Sequence, residues 1–146
     1  MSATYISLHS HIIFATKGRA PVLDGAWRGD LFAYLGGTVR GLGATPHAIG
    51  GVADHVHLVL GLKATHDVAS LVREIKKSSS SWVAERCRSF AWQVGYAAFS
   101  VGYCDLQGLV GYAGNQEDHH RKVSSTDELL ALLEEFGIAY DKRFFE

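Results

Sequence analysis

Apolar positions along this chain recur at two different periods. From Tyr5 to Ala15 (YISLHSHIIFA), β-branched and aromatic residues follow one another without Gly or Pro, which predicts a strand. Lys17-Gly18-Arg19-Ala20-Pro21 ends it. Trp27, Leu31, Tyr34, Leu35 and Thr38 then repeat at helical spacing, with Asp24 placed to cap a helix that ends near Gly41 or Gly43. Gly36 and Gly37 weigh against that helix by about 1 kcal/mol each. Ala44 to Val52 and His55 to Leu62 read as two strands, and Asp54 in the short turn between them predicts an antiparallel hairpin.

A stronger helix follows. Val68, Leu71, Val72, Ile75, Trp82 and Val83 line one face, and Arg73, Lys76, Lys77 and Ser80 line another. Gly95 to Cys104 (GYAAFSVGYC) predicts a fourth strand, and Asp105 can cap a helix reaching about His120. Ser125-x-x-Glu128 has the form of a capping box for a last helix, with Leu129, Leu130, Leu132, Leu133 and Phe136 inside and Gly137 closing it. The order β-α-β-β-α-β plus two helices predicts an α+β fold. It is a ferredoxin-like or RRM-like antiparallel sheet with added C-terminal helices, in one domain over residues 1–146.

Composition narrows the class. A chain of 146 residues can bury one core without disulfides or structural zinc. The two cysteines, Cys87 and Cys104, form no CxxC pair, so a reducing, cytoplasmic setting is expected. The opening MSATYISLHSH has no basic stretch followed by a long apolar one, so no secretory signal is expected, and no apolar run is long enough for a membrane span. The net charge of −1 excludes a uniformly basic nucleic-acid binder. Its distribution is uneven: residues 61–90 hold six Lys/Arg against three Asp/Glu, and residues 123–146 hold two against six. A basic middle of this kind can bind phosphate locally.

The candidate chemistry begins at DHVHLVL, residues 54–60. On a strand, residues two apart share a face, so His55 and His57 point the same way. Two neutral imidazoles in that geometry suit one divalent ion. The spacing alone is weak, since eight histidines in this length give roughly 0.4 such pairs by chance. His9 and His11 form a second pair, for which structural or solvent-facing roles are favoured. On the helix within LQGLVGYAGNQEDHHRK (residues 106–122), Leu106, Leu109, Val110 and Ala113 form the inward stripe. Tyr112 and Gln116, at i and i+4, share a neighbouring face. A tyrosine hydroxyl can act as nucleophile and an amide oxygen can ligate a hard metal, although packing and surface roles are the commoner uses of such residues.

Five segments, in order, resemble the HUH single-tyrosine transposases of the smallest bacterial insertion sequences and the related REP-associated tyrosine transposases. They are HIIFATKGR at 11–19, GGVADHVHLVL at 50–60, LVREIKKSSSSWV at 71–83, WQVGYAAFSV at 92–101 and GYAGNQEDHHRK at 111–122. The resemblance implies that His55 and His57 bind a catalytic Mg²⁺ or Mn²⁺, that Gln116 completes the metal site, and that Tyr112 attacks single-stranded DNA. It further implies a 5′-phosphotyrosine link, a free 3′-hydroxyl, a homodimer, and recognition of hairpin ends during DNA transposition. A free tyrosine is only about 0.1% phenolate at pH 7, a deficit of about 4 kcal/mol that such a site must offset. Lys17, Arg19, Arg73, Lys76 and Lys77 are the expected backbone contacts to DNA. Trp82, Trp92, Tyr96 and Phe99 can stack on bases, with core packing the favoured role for each. His119 and His120 are expected at an exposed helix end. The tyrosine helix departs from the family pattern, which usually has a bulky apolar residue right after the tyrosine: here Ala113-Gly114 follows, Gly108 and Gly111 precede, and the three glycines cost about 2–3 kcal/mol relative to alanines. The competing readings are a domesticated nuclease that processes host repeat hairpins and a non-catalytic hairpin-binding module.

Overall fold

The computed structural model describes residues 3–116, 119 and 123–141. Strands β1 (His9–Ala15), β2 (Thr45–Gly51), β3 (His55–Gly61) and β4 (Ala97–Val101) form one sheet in the order β2-β3-β1-β4. All three pairings are antiparallel. The helices are α1 (Gly25–Gly41), α2 (Val68–Ala84), α3 (Tyr103–Gly114) and α4 (Ser125–Glu135). The four-stranded antiparallel α+β architecture is the one the periodicity predicts.

The two faces of the sheet have different partners. Ile12 and Phe14 of β1 and Val56, Leu58 and Leu60 of β3 point to one side. They pack there against Leu31, Leu35 and Val39 of α1 and Leu71, Val72, Ile75 and Val83 of α2. Each such side chain, removed from water, contributes about 1.5–3 kcal/mol, so this layer holds the fold together. Trp27, Tyr34 and Trp82 knit the two helices to each other through ring contacts. The opposite face presents His11, Ile13, His55 and His57 to α3 and α4. A small cluster of Ile13, Phe99 and Leu133 holds α4 down.

The caps bear out two helix starts and revise two others. Asp24 and Asp67 accept backbone N–H groups at the starts of α1 and α2. The α3 cap is Gly102, with Asp105 in the first turn, and the helix expected to reach about His120 is broken after Gly114, with Gln116 and His119 helical again beyond Asn115. The break lies at Asn115, whose backbone is non-helical, next to Gly114. His120 lies outside the described residues. The α4 cap is Ser124, whose side chain accepts from Asp127 N–H, so Ser125 and Glu128 are not a capping box. Ser125 instead donates to Asp54 and accepts from Arg19. Gly137 closes α4 in the left-handed region, φ 66, as expected.

The first strand is shorter than its β-rich sequence. Tyr5 to Leu8 are exposed and outside the ladder. Strand β3 ends at Gly61 opposite His9, and just beyond the ladder the Leu8 carbonyl still accepts from Leu62 N–H at 2.8 Å. Among the described residues, no helix is long and apolar enough to cross a membrane. Both cysteines are free thiols.

Candidate active site

Strand β3 sets the site. His55 and His57 occupy one face, with ring centroids 5.1 Å apart and side chains almost wholly buried. The register places His57 between Ile13 of β1 and Gly50 of β2. Gly50 decides where α3 lies. A Cβ at this position would fall 2.0 Å from the Ala113 carbonyl oxygen, so only glycine lets the helix backbone rest directly on the strand. The residue before Ala113 is Tyr112, whose ring centroid is then 5.8 Å from that of His57 in the same chain. Gln116 is buried just past the α3 cap, and its amide donates to the Tyr112 carbonyl at 3.1 Å. The two sequence-predicted groups, the histidine pair and the tyrosine helix, are therefore brought together.

The centre of the cluster is a residue that local sequence assigned elsewhere. Glu128 of α4 is buried, and its carboxylate reaches four side chains. It accepts from His57 Nε2 at 2.9 Å and from the Tyr112 hydroxyl. It lies 2.9 Å from His119 Nε2 and 3.5 Å from His55 Nε2. A capping-box pattern concealed it, because a glutamate three residues past a serine at a helix start is the ordinary local use of that pair. His119 is likewise part-buried against Glu128 rather than free at a helix end.

The histidines are braced from behind. His55 Nδ1 lies 2.7 Å from Asp54 Oδ1, and His57 Nδ1 lies 2.7 Å from His11 Nε2. His11 is thus a buried structural partner of the site, one of the roles its position on β1 favoured. Each imidazole keeps Nε2 directed at the centre. Bracing the remote nitrogen is the usual way a protein orients metal-ligating histidines.

Charge follows from this packing. Burial opposes the Glu128 carboxylate, but the bonds from His55, His57 and Tyr112 outweigh it and hold the group far below the usual carboxylate range. Burial together with the Glu128 charge pushes the Tyr112 phenol well up, opposed only by Gln116. Burial works against charging His55, yet Asp54 and Glu128 prevail and raise its pKa. Burial and the neighbouring His57 lower His11 to about 3, so it stays neutral.

The donor set fits a divalent cation. One ligand atom each from His55, His57 and Glu128 lies within 4.8 Å of the others, a separation that a small contraction around an ion would close. Two imidazoles and a carboxylate suit Mn²⁺, Zn²⁺ or Fe²⁺ more readily than Mg²⁺, which favours oxygen.

The family model described as "Transposase IS200 like" matches residues 4–116. The chain belongs to the IS200-like transposase family. The match takes in His55, His57, Tyr112 and Gln116 and stops short of Glu128. Among solved structures, the transposase fold recurs in a Deinococcus radiodurans protein assigned as a transposase, with TM-score 0.65 and 22% identity over 78% of this chain and 96% of that one. It also recurs in a REP-associated tyrosine transposase bound to a REP hairpin, with TM-score 0.58 and 20% identity over 77% of this chain and 68% of that one. No curated protein matches the chain in sequence.

The basic residues fall in different places. Helix α2 packs on the face of the sheet opposite the His55–His57–Glu128 cluster, so Arg73 and Lys77 are exposed there, away from Tyr112. Lys76 donates to the carbonyls of Gln93 and Gly95 and lies over the Phe14 ring, which makes it a strap for the loop before β4. Arg19 stands beside α4 through Ser125, close to the site, and Lys17 is exposed nearby. Trp92 is buried with its indole N–H donated to Ser79, and Phe99 is buried in the α4 cluster. Trp82 packs between α1 and α2, while Tyr96 is exposed.

Proposed function

We propose that this protein is a divalent-metal-dependent endonuclease and strand transferase acting on single-stranded DNA with hairpin ends during DNA transposition. One observation carries the reading. A tyrosine hydroxyl and a His-His-Glu donor set meet at one point, drawn from three separate segments, with both imidazoles braced at their far nitrogens.

His55, His57 and Glu128 would hold the metal, with Gln116 beside them as the further ligand that the family resemblance implies. When bound, Mg²⁺ or Mn²⁺ would supply positive charge against the scissile phosphate and help to orient it for in-line attack. The chain's own groups supply the rest. The Tyr112 hydroxyl oxygen attacks phosphorus; the phosphorus–tyrosine bond forms as the bond to the 3′-oxygen breaks. The products are a 5′-phosphotyrosine and a 3′-hydroxyl, and no phosphodiester energy is lost, so the strand can be rejoined without ATP. The phenol proton leaves toward His119, whose Nε2 is the other group near the hydroxyl, because a Glu128 carboxylate held so far down and given to the metal is a poor base; the departing 3′-oxygen takes its proton from solvent. Without a cation, burial and the Glu128 carboxylate together hold the phenol in its neutral form, so engaging that carboxylate on a metal would favour tyrosine activation. Each chain has one such tyrosine, so two cleavages call for a homodimer. Lys17 and Arg19 beside the site are the nearer backbone contacts. Arg73 and Lys77 would need DNA that wraps around the sheet.

The test is a denaturing gel with Mn²⁺ and single-stranded hairpin DNA taken from the gene's own flanks. The wild type should form a covalent adduct, and Tyr112→Phe should lose it while still binding DNA. An adduct that survives Tyr112→Phe removes the nucleophile assignment. A wild type that binds the hairpins but never forms the adduct is a binding module.

A further inference from the structure

Helix α3 borders a cavity that the chemistry above does not use. It encloses about 530 Å³, within the roughly 300–1,000 Å³ typical of small-ligand sites. Strand β4 forms its floor, and α3 and α4 form its walls. Tyr112 and His11 stand at its inner end, so it is continuous with the reaction centre.

Its lining has two characters. Phe136, 44% exposed, gives an aromatic wall, backed by the buried Phe99 ring with its centroid 4.8 Å away. Asp105 of α3 and Glu135 of α4 bring carboxylates to the same space, and no Lys or Arg is among the described residues that line it. Two carboxylates without a cation repel a phosphate backbone. A flat base is accepted, because its face stacks on aromatic rings and its amino edge donates to a carboxylate. Thymine carries no exocyclic amine; it has a single imide N–H to donate, so it gains the stacking and fewer hydrogen bonds to the two carboxylates.

Gly108 is the second clue. It lines the cavity from α3, yet a Cβ there would meet nothing within 4 Å. No close packing requires a glycine at this helical position, and glycine weakens the helix. What its missing side chain does provide is open space beside Tyr112.

We propose that the cavity between α3, α4 and β4 is a base-binding subsite. It takes an unpaired adenine, cytosine or guanine next to the phosphate that Tyr112 attacks. The placement beside a scissile phosphate rests on the reading of Tyr112 as the nucleophile; binding of the base itself does not.

The experiment titrates the ¹⁵N-labelled full chain, free of metal, with deoxyadenosine, deoxycytidine and thymidine. The two amino-bearing nucleosides should give saturable shifts in the amides of Val101, Gly108, Leu109 and Glu135, and thymidine should bind at least about fivefold more weakly. Gly108→Leu, which improves helix propensity, should fold and lose the response. Gly111→Leu, away from the cavity lining, should keep it. Asp105→Asn combined with Glu135→Gln should remove the preference over thymidine. The proposal is overturned if no nucleoside shifts those amides, if thymidine binds equally, or if Gly108→Leu binds as the wild type does. Nucleosides carry no phosphate and are not cleaved. Intact nucleoside binding with no covalent adduct would therefore count against the Tyr112 reading alone.

Discussion

Replacing His11 with leucine should weaken divalent-metal binding and remove an acid-labile part of the stability. His11 Nε2 lies 2.7 Å from His57 Nδ1, and the pair is buried. For His57 Nε2 to give its lone pair to a metal, the ring proton must sit on Nδ1 and be accepted by His11. Leucine leaves that N–H facing hydrocarbon, and loss of such an outer partner costs about 10–100-fold in metal affinity. The pH effect is independent of metal. Burial, then His57, lowers the His11 pKa from 6.5 to about 3. Below the higher value the unfolded chain binds a proton that the folded chain refuses. The His11 contribution is therefore intact above the unfolded pKa and is lost as pH falls toward the folded one. Near pH 5 the loss is about 2 kcal/mol, set by the distance from the unfolded pKa. Urea unfolding in EDTA at pH 7 and pH 5 reads this term: the wild type should lose about 2 kcal/mol more than His11→Leu. Calorimetric titration with Mn²⁺ reads the metal term. Equal acid losses in the two proteins, with metal affinity unchanged, would refute the reasoning.

Two further substitutions probe the same architecture. Gly50→Ala places a methyl group 2.0 Å from the Ala113 carbonyl oxygen, so α3 must lift off β2 at a cost of about 1–3 kcal/mol. A thermal melt should register that cost. The adduct yield should fall by about tenfold or more as Tyr112 is displaced, and an undisturbed melt and yield would mean α3 is not seated on Gly50. Glu128→Gln keeps the shape of the side chain and removes its charge. Metal affinity should drop by about tenfold or more, and the Tyr112 phenol should titrate closer to its ordinary value, read as phenolate absorbance in a pH titration against Tyr112→Phe. A Tyr112 titration that does not move would separate Glu128 from the tyrosine's charge balance.

Most of the sheet was legible because its signals are local. A period of two places His55 and His57 on one face whatever lies on the other side of them. The amphipathic stripe of α2 needs only its own residues, and the Asp24 cap acts within one turn. The hairpin follows from two apolar runs and a short turn. The misread boundaries are those where a local pattern had two outcomes. Tyr5 to Leu8 have strand residues but lie beyond the end of the β1–β3 ladder. Ser124 and Ser125 are both good caps; Ser124 takes the role, and the Ser125 hydroxyl is held by Asp54 and Arg19.

The site divides the same way. Local sequence determined that two imidazoles share a face of β3 and that a tyrosine lies on a helix some 55 residues later. The family resemblance linked the two. Only the tertiary structure could decide that Glu128, His119, His11 and Asp54 complete the cluster. The partner of His57 on one side is 46 residues away in sequence, and on the other side 71. Contacts at that separation leave no periodic trace, because they depend on which helix crosses which strand and at what height. A glycine at position 50 sets that height for α3, and three apolar residues set it for α4. The chemistry-bearing residue types are written in the chain, but their convergence is a property of packing.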